Sequence, residues 1–197
     1  MTDEPTFRER QRVRLREVAE AVIAADGLNA AQARRIAAEA QCSVGTLYNI
    51  YGDIDQLILA ANETTLHDLA AALERDARAA RGRGLDERLM SLAAGYLAFA
   101  SAHQLRWRAV FEQRLADDYP VPASYLADRA RLLSFIEREL EGTIADAAVR
   151  GEAARALFSS VHGIVLLALD RKLGDFDEAA TARQIKFVVG NVVRGVG

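Results

Sequence analysis

Apolar residues recur at helical spacing along most of the chain. Between positions 7 and 26, Leu15, Val18, Ala19, Val22 and Ile23 fall three or four residues apart, which places them on one face of a helix. Thr6 followed by Glu9 fits a capping box ahead of that helix, and Gly27 fits its stop. Arg8, Arg10, Arg12, Arg14 and Arg16 occupy alternate positions. They would share one face of a strand, but in a helix they spread around the barrel. The periodicity downstream selects the helix. A short alanine-rich helix is expected at 30–40 and a third at 44–50, with Ser43 as N-cap and Gly52 as terminator. Asp53 opens a long helix to about residue 80, and Gln56 three residues on completes a capping-box pattern. Arg81-Gly82-Arg83-Gly84 marks a break. Further helices are expected at 85–102, 104–116, 123–141, 146–171 and 177–194, with residues 117–122 as the clearest loop. No alternating run of β-branched residues competes, so the fold class is all-α.

Composition agrees with this pattern. Apolar residues make up 51% of the 197 positions, enough for a real core, and only 3 prolines are present. Alanine, leucine, arginine and glutamate dominate, and these side chains lose little freedom in a helix. The formal charge of −3 rules out a general basic coat, so any positive surface for nucleic acid must be local. A single cysteine, Cys42, excludes an internal disulfide and a thiolate metal cluster. The start, MTDEPTFRERQ, has no apolar signal stretch, and no window reaches 18 uncharged apolar residues. The longest apolar run, 163–169, reads as a buried helix segment. The expected location is the cytoplasm.

The segment from Arg34 to Tyr51, RRIAAEAQCSVGTLYNIY, carries the function. Two short helices crossing steeply must share a small core, and Ile36, Ala37, Ala40, Cys42, Leu47 and Ile50 are spaced to form it. The second helix then turns Val44, Gly45, Thr46, Tyr48 and Asn49 outward. Small residues let its first turn enter a groove, and Thr46 and Tyr48 offer hydroxyls to phosphates or base edges. Asn49 either reads a base edge or is solvated. Tyr51 either contacts DNA or packs under the turn. The arginines at 8–16 form either a solvated face or an arm on DNA.

At these residues the sequence resembles the tetracycline-repressor-type (TetR) family of bacterial regulators. The resemblance rests on IAAEA at 36–40, Ser43, GTLY at 45–48, Tyr51-Gly52 and the long helix from Asp53. It covers about residues 7–66. Residues 107–112, WRAVFE, and Val161-His162-Gly163 resemble one C-terminal class of the family more loosely. The resemblance implies an N-terminal three-helix helix-turn-helix DNA-binding domain, residues 1–52. It also implies a C-terminal helical ligand-binding and dimerisation domain, residues 53–197, with a pocket whose occupancy changes the spacing of two DNA-reading heads. The expected DNA contacts are Arg34, Ser43, Val44, Gly45, Thr46, Tyr48, Asn49 and Tyr51.

The chain departs from the family at three points. Gln41 stands in a turn that usually holds glycine, and a left-handed residue with a side chain costs about 1–2 kcal/mol. Ile54 replaces a lysine that often meets phosphate. Residues 1–60 hold seven arginines against nine acids. Each lowers the expected DNA affinity, although Arg8, Arg10, Arg34 and Arg35 supply a local positive edge.

Tyr96, Phe99, His103, Trp107, Phe111, Tyr125 and His162 are the candidate pocket residues, since a largely apolar site with a few polar groups uses these types. Core packing is the competing reading for several. Three widely separated histidines give no metal-ligand spacing, so no metal and no cofactor are expected. The last two helices each carry an apolar surface broader than a one-sided helix needs. Leu157, Phe158, Val161 and Val165 lie on one, and Ile185, Val188, Val189 and Val192 on the other. A second chain would bury the excess in a four-helix interface. The leading expectation is a non-enzymatic, ligand-responsive repressor that binds a palindromic operator as a homodimer and answers to a small molecule. Two rivals stand beside it: a family member that binds ligand but not DNA, and a helical enzyme. Against the enzyme, no nucleophile, base and orienting group form a recognisable motif, and no phosphate-cradling glycine loop occurs.

Overall fold

The computed structural model describes residues 6–172 and 174–196; residues 1–5 of the expected N-terminal domain lie outside it. Every described element is helical. The order is α1 (Phe7–Asp26), a 3₁₀ turn (Leu28–Ala30), α2 (Ala33–Glu39), α3 (Val44–Tyr51), α4 (Ile54–Ala79) and α5 (Leu85–Ala102). It continues with α6 (Gln104–Glu112), α7 (Ala123–Leu140), α8 (Ala147–Leu169) and α9 (Glu178–Val196).

The chain forms two compact units, each built from two stretches. The first comprises residues 1–67 and 103–126, the second residues 68–102 and 127–197. α4 and α7 each contribute residues to both.

In the first unit, α1 packs on α2, α3 and α6. Leu15, Val18, Ala19, Val22 and Ile23 of α1 are buried with Ile36, Leu47, Ile50, Leu57 and Ala109 in one apolar cluster. Truncating one of its leucines to alanine would cost about 2–5 kcal/mol. Thr6 and Glu9 form the expected capping box, with the Glu9 backbone N–H donating to Thr6 Oγ1 and the Thr6 N–H to Glu9 Oε2. Those hydrogen bonds hold the Glu9 carboxyl below the usual carboxylate range. Asp53 caps α4 by accepting from the Gln56 N–H at 2.8 Å. The Gln56 side chain does not complete a box; it donates to the Pro120 carbonyl instead.

α6 ends at Glu112, short of the expected 116. Nothing in the local sequence breaks it. The Gln113 side chain accepts from Asn62 Nδ2 at 3.1 Å and donates to the Asp55 carbonyl at 3.2 Å. These bonds to α4 take Gln113 out of helical geometry, with ψ at 119°. The second helix also starts later than expected, at Ala33, because residues 28–30 form the 3₁₀ turn.

In the second unit, α5, α8 and α9 pack against one another. Asp146 caps α8, its Oδ1 accepting from the N–H groups of Ala148 and Val149. Among the described residues α8 alone is long and apolar enough to cross a membrane by length and composition, with a mean hydropathy of 1.4. Its Ala154, Leu157, Val161 and Val165 are buried, but of the run 163–169, expected as a buried segment, only Val165 is buried and Leu167 is exposed.

α2 and α8 end alike. After α2, the Gln41 N–H donates to Ala38 O and the Cys42 N–H to Ala37 O, with Gln41 at φ 57°. After α8, the Arg171 N–H donates to Ala168 O and the Lys172 N–H to Leu167 O, with Arg171 at φ 54°. Both are Schellman caps whose left-handed residue is usually glycine.

Candidate nucleic-acid interface and internal cavity

α2 and α3 form the helix-turn-helix. Ile36, Ala37, Ala40, Leu47 and Ile50 are buried between them and α1, and Cys42 packs partly buried against the same cluster. Burial pushes the Cys42 thiol above its ordinary value, which keeps it protonated and poorly nucleophilic at neutral pH. Ser43 caps α3, its Oγ accepting from the Thr46 N–H at 3.0 Å. The Thr46 hydroxyl lies 2.9 Å from the same Ser43 oxygen, so it is engaged at the cap.

The exposed face of α3 is made by Gly45, Tyr48 and Asn49, with Val44 and Thr46 half-buried. Tyr48 is 45% exposed. A Cβ added at Gly45 would meet only Ser43 Oγ, at 3.6 Å. The fold itself therefore gives no reason for glycine there.

α3 is held from behind by α1. Arg12 Nη2 donates to the Ile50 carbonyl at 2.6 Å, and Arg8 Nη2 to the Asn49 carbonyl at 3.1 Å. These carbonyls belong to the last turn of α3, where intrahelical donors run out and cations are favoured. The Tyr51 hydroxyl donates to the Arg12 carbonyl at 2.8 Å, beneath an Arg12 guanidinium 4.8 Å from the ring centroid. Burial raises the Tyr51 phenol above its ordinary value. Of the two sequence readings for Tyr51, its position matches packing under the turn. Arg8 and Arg12 act as braces, a role that alternate arginines do not reveal in a sequence.

The positive edge is thinner than the sequence suggests. Arg34 is exposed, but Arg35 pairs with both Asp26 and Glu39. Ile54 packs partly buried against the core of the unit, which accounts for an apolar residue at that position.

Beside this motif, Tyr119, Asp53, Gln56 and Gln113 tie the loop after α6 to the first turn of α4. The Tyr119 hydroxyl donates to Asp53 Oδ1 at 2.6 Å. Burial and that bond to a carboxylate drive the phenol well above its ordinary range.

The second unit contains a partly open apolar cavity of about 40 Å³, lined from α4, α5, α7, α8 and α9. Leu92, Tyr96, Phe135, Leu157, Phe158 and Val189 are among its walls. The Tyr96 hydroxyl sits 2.7 Å from His162 Nδ1, and the His162 ring stacks on Phe158 with centroids 5.7 Å apart. Burial lowers the His162 pKa, which favours the neutral ring.

Of the seven candidate pocket residues, Tyr96 lines this cavity and His162 is its hydrogen-bond partner. Phe99 is buried in the same unit but is not part of the lining. His103, Trp107, Phe111 and Tyr125 belong to the first unit. There Trp107 and Tyr125 are buried, and Phe111 packs on Trp107 with centroids 5.6 Å apart. The aliphatic walls were missed because leucines shared by several helices look like any other core.

The candidate interface residues also divide. Leu157, Val161, Val165, Ile185 and Val189 are buried within the chain itself, while Phe158, Val188 and Val192 are half-buried. Facing outward are Leu167, 41% exposed, and Phe187, 72% exposed. Phe187 borders a shallow surface groove with Ile164, Ala180, Arg183, Gln184 and Val188. An apolar residue opposite the Ile185–Val189 stripe was the signal for it. Among the described residues no group of three or more His, Cys, Asp or Glu is placed to hold a metal ion.

Residues 15–61 match the family described as bacterial regulatory proteins, tetR family, and residues 89–188 match the tetracyclin repressor-like C-terminal domain. No curated protein matches the chain. Several solved structures share the fold. A Rhodococcus sp. RHA1 protein of unknown function is 24% identical over 98% of this chain and 99% of its own, with a TM-score of 0.75. RolR, solved with resorcinol, is 21% identical over 96% and 89%, with a TM-score of 0.68. FadR from Bacillus subtilis, solved with stearoyl-CoA, is 15% identical over 94% and 99%, with a TM-score of 0.66. With more than half of its length matched to these two families and a braced helix-turn-helix at its N-terminal end, the chain belongs to the TetR family of bacterial transcriptional regulators.

Proposed function

We propose that this protein is a cytoplasmic, ligand-responsive repressor that binds a palindromic operator as a homodimer and has no catalytic activity. The observation that carries the reading is the outer face of α3. Gly45, Tyr48 and Asn49 are exposed there while Arg8, Arg12 and Tyr51 fix the helix from the opposite side. A rigid helix with a small residue in its first turn suits insertion in a major groove. Tyr48 is the principal DNA contact, with Gly45 allowing approach. Ser43, Val44, Thr46, Asn49 and Arg34 lie around them.

The effector site is the cavity of the second unit. RolR and FadR, with resorcinol and stearoyl-CoA bound, support a small organic effector for a chain of this fold. A ligand that binds the non-DNA conformation better releases the operator by population shift, with α4 as the coupling element because its residues belong to both units. Two chains pair through α8 and α9 around Phe187 and Leu167, since two half-sites call for two heads.

Selection from a pool of random duplex DNA at about physiological salt tests the reading. A palindromic site, lost in Tyr48→Ala and bound by a dimer that Phe187→Asp converts to monomer, is the expected result. A second reading is favoured by Ile54 packed against the core, Arg35 bound to two carboxylates and the acidic balance of residues 1–60. In it the chain binds ligand and has lost DNA. No enrichment from a folded dimer across a range of salt would select that reading.

A further inference from the structure

We propose that α3 reads A·T base pairs: Asn49 takes an adenine, Tyr48 and Val44 pack on thymine methyl groups, and no guanine or cytosine of the half-site is recognised through this helix. The inference rests on the proposed function, in which α3 enters a major groove.

α3, VGTLYNIY, carries no charged residue. In the major groove guanine is read chiefly by arginine or lysine bonded to O6 and N7 together, and cytosine by a carboxylate that accepts from N4. The helix holds neither. Both lysines of the chain, Lys172 and Lys186, lie in the second unit. The arginines bonded to α3, Arg8 and Arg12, are engaged on its own carbonyls, and Arg35 is held by Asp26 and Glu39. Arg34 lies in α2, the first helix of the motif, which crosses the sugar-phosphate backbone and so meets phosphates.

The outer face of α3 sorts in the same direction. The Ser43 and Thr46 hydroxyls lie 2.9 Å apart and bond each other, and Ser43 Oγ also caps the Thr46 N–H. Tyr48 and Asn49 are exposed, and among the described residues neither side chain has a hydrogen-bond partner. Asn49 is the only carboxamide on the helix. Its amide matches adenine, donating to N7 and accepting from N6 at once. The bond from Arg8 Nη2 to the Asn49 carbonyl, at 3.1 Å, fixes the backbone from which that amide projects. Tyr48 offers a ring and the half-buried Val44 its methyl groups. These match the C5 methyl of thymine, the one apolar feature of the major-groove edge.

Selection of sites from random duplex DNA, run on the full-length protein and on Asn49→Arg, tests the proposal. The half-sites recovered by the parent should hold A·T pairs at their selected positions. Asn49→Arg, a change at an exposed position that leaves the fold intact, should turn one of those pairs to G·C. At that pair an adenine analogue with C–H in place of N7 should weaken binding by the parent about tenfold and binding by Asn49→Ala no further. Uracil in place of thymine beside it should weaken binding by the parent about fourfold, the equivalent of one buried methyl group. Half-sites built on G·C pairs, or a base preference unchanged in Asn49→Arg, would overturn the A·T assignment and leave operator binding standing. No palindrome from a folded dimer would overturn both.

Discussion

Tyr51 and Arg12 hold each other by two contacts: a hydroxyl-to-carbonyl hydrogen bond of 2.8 Å and a guanidinium 4.8 Å above the ring. The same guanidinium reaches the last turn of α3 at Ile50 O. One arginine thus joins α1 to the end of the recognition helix. Arg12→Ala removes a charge-assisted hydrogen bond and a cation–π contact, and should lower stability by about 1–2 kcal/mol. Tyr51→Phe removes one hydrogen bond and should cost about 1 kcal/mol. Trp107, fully buried in the first unit and the only tryptophan in the chain, reports urea unfolding of that unit by fluorescence. Tyr51→Phe with unchanged stability and weakened DNA binding would place the hydroxyl on DNA instead.

Gly45 separates folding from binding. Its Cβ position is open, and glycine inside a helix costs about 0.5–1 kcal/mol relative to alanine. Gly45→Ala should therefore stabilise the protein by up to that amount, read in the same urea titration. It should also weaken operator binding by about tenfold, the equivalent of about 1.4 kcal/mol. A gain in stability with unchanged affinity would show that the groove does not come close to this residue.

Gln41 sits at φ 57° in a Schellman cap, where a side chain costs about 1–2 kcal/mol that glycine avoids. Glycine also frees the unfolded chain, which offsets part of the gain. Gln41→Gly should raise the thermal midpoint by about 2–4 °C, the equivalent of about 1 kcal/mol for a chain of this length. DNA affinity should stay within about twofold if the turn only connects the helices. A lower midpoint would mean that the Gln41 side chain makes a compensating contact.

His162 titrates below its ordinary value of 6.5 because it is buried. The folded protein then binds fewer protons here than the unfolded chain, so the contribution of this group is complete above about pH 6.5 and declines as the pH falls below it. The slope reaches at most about 1.4 kcal/mol per pH unit. Proton NMR of the imidazole should give a midpoint below 6.5. A His162→Gln variant should lose less stability than the parent between pH 7 and pH 5.5. An NMR midpoint above 6.5 would refute the burial argument.

Local chemistry made much of the fold legible. Thr6 and Glu9 announce α1, Ser43 announces α3 and Asp53 announces α4, because each cap is written within four residues. The small core around Ile36, Ala37, Leu47 and Ile50 was equally readable from spacing. What escaped depends on partners far along the chain. Gln113 ends α6 through Asn62 and Asp55, some fifty residues away. Arg8 and Arg12 find carbonyls about forty residues on, with no local mark. The aromatic series from Tyr96 to Tyr125 looked like one site, yet the chain passes from the second unit to the first at residue 103. Periodicity tells which face of a helix is covered, and not by what.

Both units are assembled from two stretches, so the polypeptide passes between them at residues 67–68, 102–103 and 126–127. For anyone building hybrid regulators, the interchangeable part is then not a length of sequence. A head transplanted as residues 1–52 leaves behind Leu57, Ile58, Ala61 and Ala109, which complete its apolar cluster. It also leaves Trp107, buried in the same unit. A graft that keeps its own fold must carry residues 1–67 together with 103–126, joined at three seams rather than one.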